Sequence, residues 1–231
     1  MIVGAMLVRN EQDRWLTKVL EQLQQICDEI VIVDDCSTDD TVEICRSYNA
    51  RVFTSERRLW NIDESIQRKR LFREASKVAG HNGWILSLDA DEILSDSAVM
   101  NFKNYIKEAE KVDLNGIVFR LYDMWDENYY RDDQFWNAHD KHWLFCVRYK
   151  ENIAYTWLQT EFHCGRFPIE FFQWPVGYTG MKIKHMGWST EKDRLIKYQQ
   201  YKKRDPHGEY GIIEQYESIL DPDPTIKLFT E

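Results

Sequence analysis

The sequence predicts an α/β fold with a mostly parallel central sheet flanked by helices, and three observations predict it. Short apolar runs alternate with stretches of helical periodicity through the first half of the chain. The runs are apolar at nearly every position, as strands covered by helices on both faces must be. Two acidic clusters fall where predicted strands end, the edge at which sheets of this kind bind ligands.

Each element has its own signal. Ile2-Val3-Gly4-Ala5-Met6-Leu7-Val8 reads as a buried strand, and Trp15, Leu16, Val19, Leu20 and Leu23 recur at the spacing of one helix face. Glu29-Ile30-Val31-Ile32-Val33 is the second strand. It runs into Asp34-Asp35-Cys36-Ser37-Thr38-Asp39, polar residues suited to capping a short helix over 41–48. A third strand follows at 51–54, then a helix over 65–78 with Leu71, Ala75 and Val78 on one face. Trp84-Ile85-Leu86-Ser87-Leu88 is the fourth strand, ending in Asp89-Ala90-Asp91-Glu92. A helix is expected at 97–111 and a strand at 116–121. Between 122 and 188 periodicity fades and aromatic residues crowd together, with six of the nine tryptophans. The tail reads as a helix over 190–203, broken at Asp205-Pro206, then a second short helix.

Composition narrows the function. The chain has 231 residues, 43% hydrophobic and 30% charged, as a folded globular protein does. A net charge of −9 argues against sequence-independent nucleic-acid binding. Five cysteines with no close CxxC pair fit neither a disulfide framework nor a zinc knuckle. Reduced thiols point to a cytoplasmic setting. No run is long enough for an integral membrane segment, so any membrane contact is expected to be peripheral.

Two carboxylates two residues apart, Asp89 and Asp91, can converge on one hard cation at the exit of a strand. Such a cation stabilises a diphosphate leaving group as negative charge grows on it. The same residues also suit a plain strand end followed by an acidic helix start. At the first cluster, a strand-end carboxylate can accept from the imide N–H of uracil or thymine, while Ser37, Thr38 and Asp39 account for helix capping.

The ordered series Val8-Arg9-Asn10-Glu11, then Ile32-Val33-Asp34-Asp35-Cys36-Ser37-Thr38-Asp39, then Leu88-Asp89-Ala90-Asp91-Glu92 resembles glycosyltransferase family 2. The resemblance covers about the first 95 residues and implies the glycosyltransferase-A fold and an inverting transfer from a nucleotide-sugar. It implies that Asp35 contacts the base, with Asp34 and the loop Val8, Arg9, Asn10 and Glu11 beside it. It further implies that Asp89 and Ala90 face ribose and metal-bound water, and that Asp91 ligates Mn²⁺ or Mg²⁺. In the family a basic residue on the preceding helix reaches the donor phosphates, and Arg68 shares a face with Leu71 and Ala75. Downstream, Ile183-Lys184-His185-Met186-Gly187, with Lys192, Arg194, Lys197 and Tyr198 after it, resembles the family's late histidine-glycine segment. His185 would then join Asp89 and Asp91 on the metal, an imidazole suiting Mn²⁺ better than Mg²⁺.

The catalytic base is expected within Thr160-Glu161-Phe162-His163-Cys164-Gly165-Arg166, with Glu161 and His163 as candidates. The family's His-Glu pair is missing there, since Cys164 follows His163. Among the aromatics, Trp125, Trp136 and Trp157 are candidates to meet a carbohydrate, lipid-linked or protein acceptor, the rest being core. One domain over 1–231 is expected, with a nucleotide-sugar half (1–95), an acceptor-binding and catalytic half (96–190) and a C-terminal helical tail (191–231). A sugar-phosphate nucleotidyltransferase would need a glycine-rich basic first loop, which Val8-Arg9-Asn10-Glu11 lacks. A non-catalytic nucleotide-sugar-binding module on the same fold stays open.

Overall fold

The computed structural model describes residues 1–60, 62–158 and 164–231. Its first half alternates β1 (Ile2–Val8), α1 (Leu16–Ile26), β2 (Glu29–Asp34), α2 (Thr41–Ser47), β3 (Arg51–Thr54), α3 (Glu64–Ala79) and β4 (Trp84–Asp89). Then come β5 (Glu92–Leu94), α4 (Asp96–Lys111), β6 (Gly116–Asp123), β7 (Tyr129–Arg131), β8 (Trp143–Arg148) and β9 (Val176–His185). The chain closes with α5 (Glu191–Arg204), α6 (Ile213–Ser218) and β10 (Ile226–Leu228).

Eight strands form one sheet in the order β3-β2-β1-β4-β8-β6-β9-β5, and β7 pairs with β10 apart from it. The first four are parallel, so β2 and β4 end on the same edge and their acidic clusters share it. β8 runs antiparallel to both β4 and β6, β6 and β9 are parallel, and β5 is antiparallel to β9.

Alternation along β1 shows why the sheet needs helices on both sides. Val3 and Ala5 enter one core with Leu71, Phe72 and Ala75 of α3. Ile2, Met6 and Val8 enter the other with Leu16, Leu20 and Leu23 of α1 and Phe102 and Ile106 of α4. Each such side chain, once fully buried, contributes about 1.5–3 kcal/mol. The helices start where the sequence supplies acceptors for their free N–H groups. The Asp63 carboxylate accepts from the Ser65 amide (2.7 Å), the Ser95 hydroxyl from Ala98 (3.2 Å) and the Thr190 hydroxyl from Asp193 (3.1 Å).

The region from 122 to 188 is more regular than its sequence suggests. It holds β7, β8 and all of β9. β9 contains Gly177, Gly180, Lys182 and Lys184, residues of low strand propensity, and is held by its neighbours β6 and β5 rather than by its own pattern. Glu92 opens a strand, not the helix its acidity suggested; that helix begins at Asp96, capped by Ser95. Among the described residues, no helix is long and apolar enough to cross a membrane.

Candidate active site

Side chains after β2 and β4 are held in different ways, although both strands end on one edge. Asp35 is 3% exposed, and neutral donors surround its carboxylate. Oδ1 accepts from the Leu59 amide (2.8 Å) and the Gln67 side chain (2.7 Å), and the Trp60 amide reaches Oδ2 (3.2 Å). Asp34 is equally buried and accepts from the Ser37 amide (3.2 Å to each oxygen). The resemblance gave Asp35 to a base; here its carboxylate is taken up in fastening the 55–60 loop and α3.

The first loop is zipped onto the second. Asn10 accepts from the Thr38 amide (2.8 Å), and the Glu11 amide donates to the Thr41 hydroxyl (2.7 Å). Arg9 donates to the backbone carbonyls of Asp35 and Cys36. Cys36 has φ 63°, a left-handed conformation that a β-carbon disfavours, so Arg9 clamps a strained turn rather than turning outward to a ligand. Val8 and Ala90 are 3% and 4% exposed and their side chains lie in the core, leaving their backbones alone to face a ligand.

Asp89 is clamped by cations. Arg68 meets it with both terminal nitrogens (3.0 and 3.2 Å), and Arg166 adds a third contact at 3.1 Å. Burial alone would raise its pKa, but Arg166 and Arg68 outweigh that and hold it well below the usual carboxylate range. Arg166 also pairs with Glu92, which accepts from the Asp89 amide (2.7 Å). Burial nevertheless pushes the Glu92 carboxyl up. Arg68 thus reaches the second acidic cluster, as its face on α3 suggested, but in this structure it holds Asp89. Its neighbour Gln67 holds Asp35, so one turn of α3 braces both clusters.

Asp91 is different again. Its Oδ2 stands 3.6 Å from Lys197 Nζ, 3.8 Å from His185 Nε2 and 4.0 Å from Arg14 Nη2, all beyond hydrogen-bond length. His185 ends β9, and its Nδ1 lies 2.8 Å from Asp123 Oδ1 at the end of β6. With Nδ1 donating to that carboxylate, the lone pair of Nε2 faces Asp91, the orientation that carboxylate-paired histidines present to metals. Burial and Lys197 lower the imidazole pKa, but Asp91 and Asp123 outweigh them and raise it.

Gly187 supplies the space. A β-carbon there would lie 2.5 Å from Asp91 Oδ2 and 2.9 Å from His185 Nε2, and would collide with Lys197 Nζ. Oxygen and nitrogen donors therefore converge on a volume that any other residue would fill. Donors of one divalent ion stand at most roughly 4.2 Å apart, twice a bond of about 2.1 Å, so the 3.8 Å between Asp91 and His185 fits. Among the described residues no group of three or more His, Cys, Asp or Glu side chains is placed to hold a metal ion, so the protein would offer two donors here. The fit is thus to an open site that ligand oxygens and water complete. Asp89, expected as a further ligand, has its carboxylate committed to Arg68 and Arg166.

Glu11 faces this space too. Burial pushes its carboxyl up to about 7, with Asp91 adding and Arg14 opposing. Arg14, Arg166 and Lys197 had no assigned role in the sequence, although Arg166 and Lys197 stand inside the two downstream segments it singled out. The base candidates Glu161 and His163 lie outside the described residues. Cys164, which follows them, is 3% exposed, and Arg166 reaches Asp89. Trp125 and Trp136 are 8% and 2% exposed, packed with Trp188, and Trp157 packs against Phe72. Burial leaves Trp125 and Trp136 no open ring face for an acceptor. A separate cavity of about 350 Å³, lined by Trp15, Gln22, Ser95 and Lys184 among others, includes neither Asp89 nor Asp91.

The family model for glycosyl transferase family 2 matches residues 5–171. An uncharacterized protein of Mycobacterium tuberculosis is 23% identical over 239 residues, taking in 95% of this chain and 54% of that protein. An uncharacterized glycosyltransferase of Rickettsia typhi is 34% identical over 89 residues, 38% of this chain and 27% of its own. The chain spans about half the length of the mycobacterial relatives it matches. Among solved structures, residues 1–349 of Staphylococcus aureus TarS cover 95% of this chain and 69% of their own length at 15% identity, with a TM-score of 0.49. Glucosyl-3-phosphoglycerate synthase from M. tuberculosis, in complex with Mn²⁺, UDP and glucosyl-3-phosphoglycerate, covers 52% of this chain and 44% of its own at 17% identity and a TM-score of 0.38. On the match across residues 5–171, the chain belongs to glycosyl transferase family 2.

Proposed function

We propose that this protein is an inverting glycosyltransferase that moves a sugar from a UDP- or dTDP-sugar to an acceptor hydroxyl, with Mn²⁺ or Mg²⁺ on Asp91 and His185. The observation that carries the reading is the convergence of Asp91 Oδ2 and His185 Nε2 on the volume above Gly187, with Asp123 on the far nitrogen of the imidazole. Family membership supports the class of reaction. A bound divalent ion supplies charge stabilisation to the departing diphosphate without needing a proton.

The protein's own residues divide the remaining work. Asp91 and His185 would hold the ion, and Asp123 fixes the imidazole with Nε2 on the Asp91 side. Arg68 and Arg166 hold Asp89 ionised and fixed, so that it presents a constant dipole and charge to the ribose side of the cleft. Asp34, Asp35 and the loop from Val8 to Glu11 shape the base end through backbone positions set by Arg9. Residues 1–95 make the donor half, 96–190 the acceptor half, and 191–231 add Lys197 to the donor site. The acceptor hydroxyl, on a carbohydrate, lipid or protein, attacks the anomeric carbon from the face opposite the diphosphate. Glu161, with His163 beside it in sequence, takes its proton.

Hydrolysis and transfer from a panel of nucleotide-sugars, with Mn²⁺ present and then chelated, tests this reading. Activity should require the metal, and Asp91→Ala should reduce it by about a hundredfold or more. Full metal-independent activity in that variant would refute the assignment. Glu161→Gln should lower turnover with donor affinity retained; His163→Ala giving that signature instead would move the base to His163.

A further inference from the structure

Two cations stand opposite Asp91, and they are held differently. Arg14 is anchored by Asp193 (3.3 Å) and Glu11 (3.4 Å) and only brushes Asp91 at 4.0 Å. Among the described residues Lys197 has one carboxylate within ion-pair distance, Asp91 at 3.6 Å, and its ammonium rests 4.3 Å from the centre of the Trp188 ring. Its ammonium lies within the space that Gly187 leaves open, on the same carboxylate oxygen that faces His185 Nε2. A divalent ion entering between Asp91 and His185 would meet that ammonium within a few ångströms, where like charges repel strongly.

We infer that Lys197 is an exchangeable counter-ion: it neutralises Asp91 while the metal is absent, yields the carboxylate to the incoming ion, and then pairs with the diphosphate of the donor. The inference rests on the metal reading of Asp91 and His185 given above. Its geometry is local. The long aliphatic stem lets the ammonium swing from a helix that stays in place, and the Trp188 face offers a cationic resting position that costs little to leave. A lysine suits this role better than an arginine, being a compact point charge rather than a planar fork fixed by several partners.

The consequence is a pair of effects of opposite sign. Replacing Lys197 by Met keeps the stem on Trp188 and removes the charge. Binding of Mn²⁺ alone, followed by electron paramagnetic resonance of the free ion, should tighten by about tenfold because a competitor has gone. Affinity for UDP at saturating Mn²⁺, measured by calorimetry, should fall by about tenfold because a charge-assisted contact has gone. Lys197→Gln should repeat both changes, and its melting curve guards against a folding defect in the Met variant. Unchanged or weaker Mn²⁺ binding in both variants overturns the exchange, and unchanged UDP affinity overturns its second half. The wild type and Asp91→Ala separate the two levels. If the wild type binds no Mn²⁺, the metal reading and this inference fall together. If the wild type binds it, Asp91→Ala does not, and the Lys197 variants match the wild type, only this inference falls.

Discussion

Asp35 and Asp91 are the same residue type, each just beyond the end of a parallel strand on one edge of one sheet, yet their surroundings differ in kind. Asp35 is ringed by neutral N–H donors at hydrogen-bond distance. Asp91 faces Lys197, His185 and Arg14, all at 3.6–4.0 Å. A carboxylate held by several amide donors has most of its lone pairs engaged in the fold, and replacing those partners with a ligand means undoing a loop. A carboxylate balanced by nearby but unbonded charge is stable as an anion and still has its lone pairs to offer. Asp205 belongs with Asp35, accepting from the amides of Glu209, Tyr210 and Gly211 and from the Tyr216 hydroxyl. Asp89 is intermediate, bonded by cations alone.

Four experiments would break or sharpen that division. The largest effect is expected at Arg166, whose removal leaves buried Glu92 and half-buried Asp89 short of a cationic partner. Arg166→Met should lose about 3–5 kcal/mol in a urea titration. A loss below 1 kcal/mol would show that Arg68 alone compensates Asp89. Next, Asp35→Asn should destabilise by about 2 kcal/mol, because a carboxamide turns a donor toward amide donors. If it instead leaves stability untouched and weakens nucleotide binding, Asp35 belongs with Asp91 and the division is wrong.

Asp123→Asn should weaken Mn²⁺ binding about tenfold with little change in melting temperature, since it loosens the orientation of His185 and not the core. A melting temperature that falls while metal affinity holds would make Asp123 structural. The smallest effect concerns pH. Burial raises the pKa of Asp205, but the Tyr216 hydroxyl and the three amides outweigh it and set the carboxyl below its ordinary 3.8. A depressed folded-state pKa stabilises above the unfolded value and is lost as pH falls through the folded one. Asp205→Asn should therefore cost about 1 kcal/mol at neutral pH. The gap from wild type should close below about pH 4; a gap constant down to pH 3 would show that ionisation is irrelevant there.

The strand–helix alternation of the first half was readable because each element carried its own signal. Apolar runs marked β1, β2 and β4, helical spacing of apolar residues marked α1 and α3, and the acidic clusters marked the strand ends. The second half was less so, since β9 interrupts its strand-forming residues with Gly177, Gly180, Lys182 and Lys184 and owes its form to β6 and β5. His185 and Gly187 were singled out from a motif that marks only their places in the chain, and nothing local tells that Asp123, 62 residues earlier, grips the imidazole. Arg14 and Arg166 were passed over for a related reason: an arginine in a loop looks like solvated charge until the fold shows which carboxylate it faces.

What the sequence by itself determined, then, is the α/β frame, the strand ends and the identity of the acids available there, because periodicity and capping are local properties of the chain. Only the tertiary structure decided which acid is spent and which is free. That depends on partners from α3, β6, β9 and α5, brought to one edge by sheet order, and charge compensation acts through space rather than along the chain.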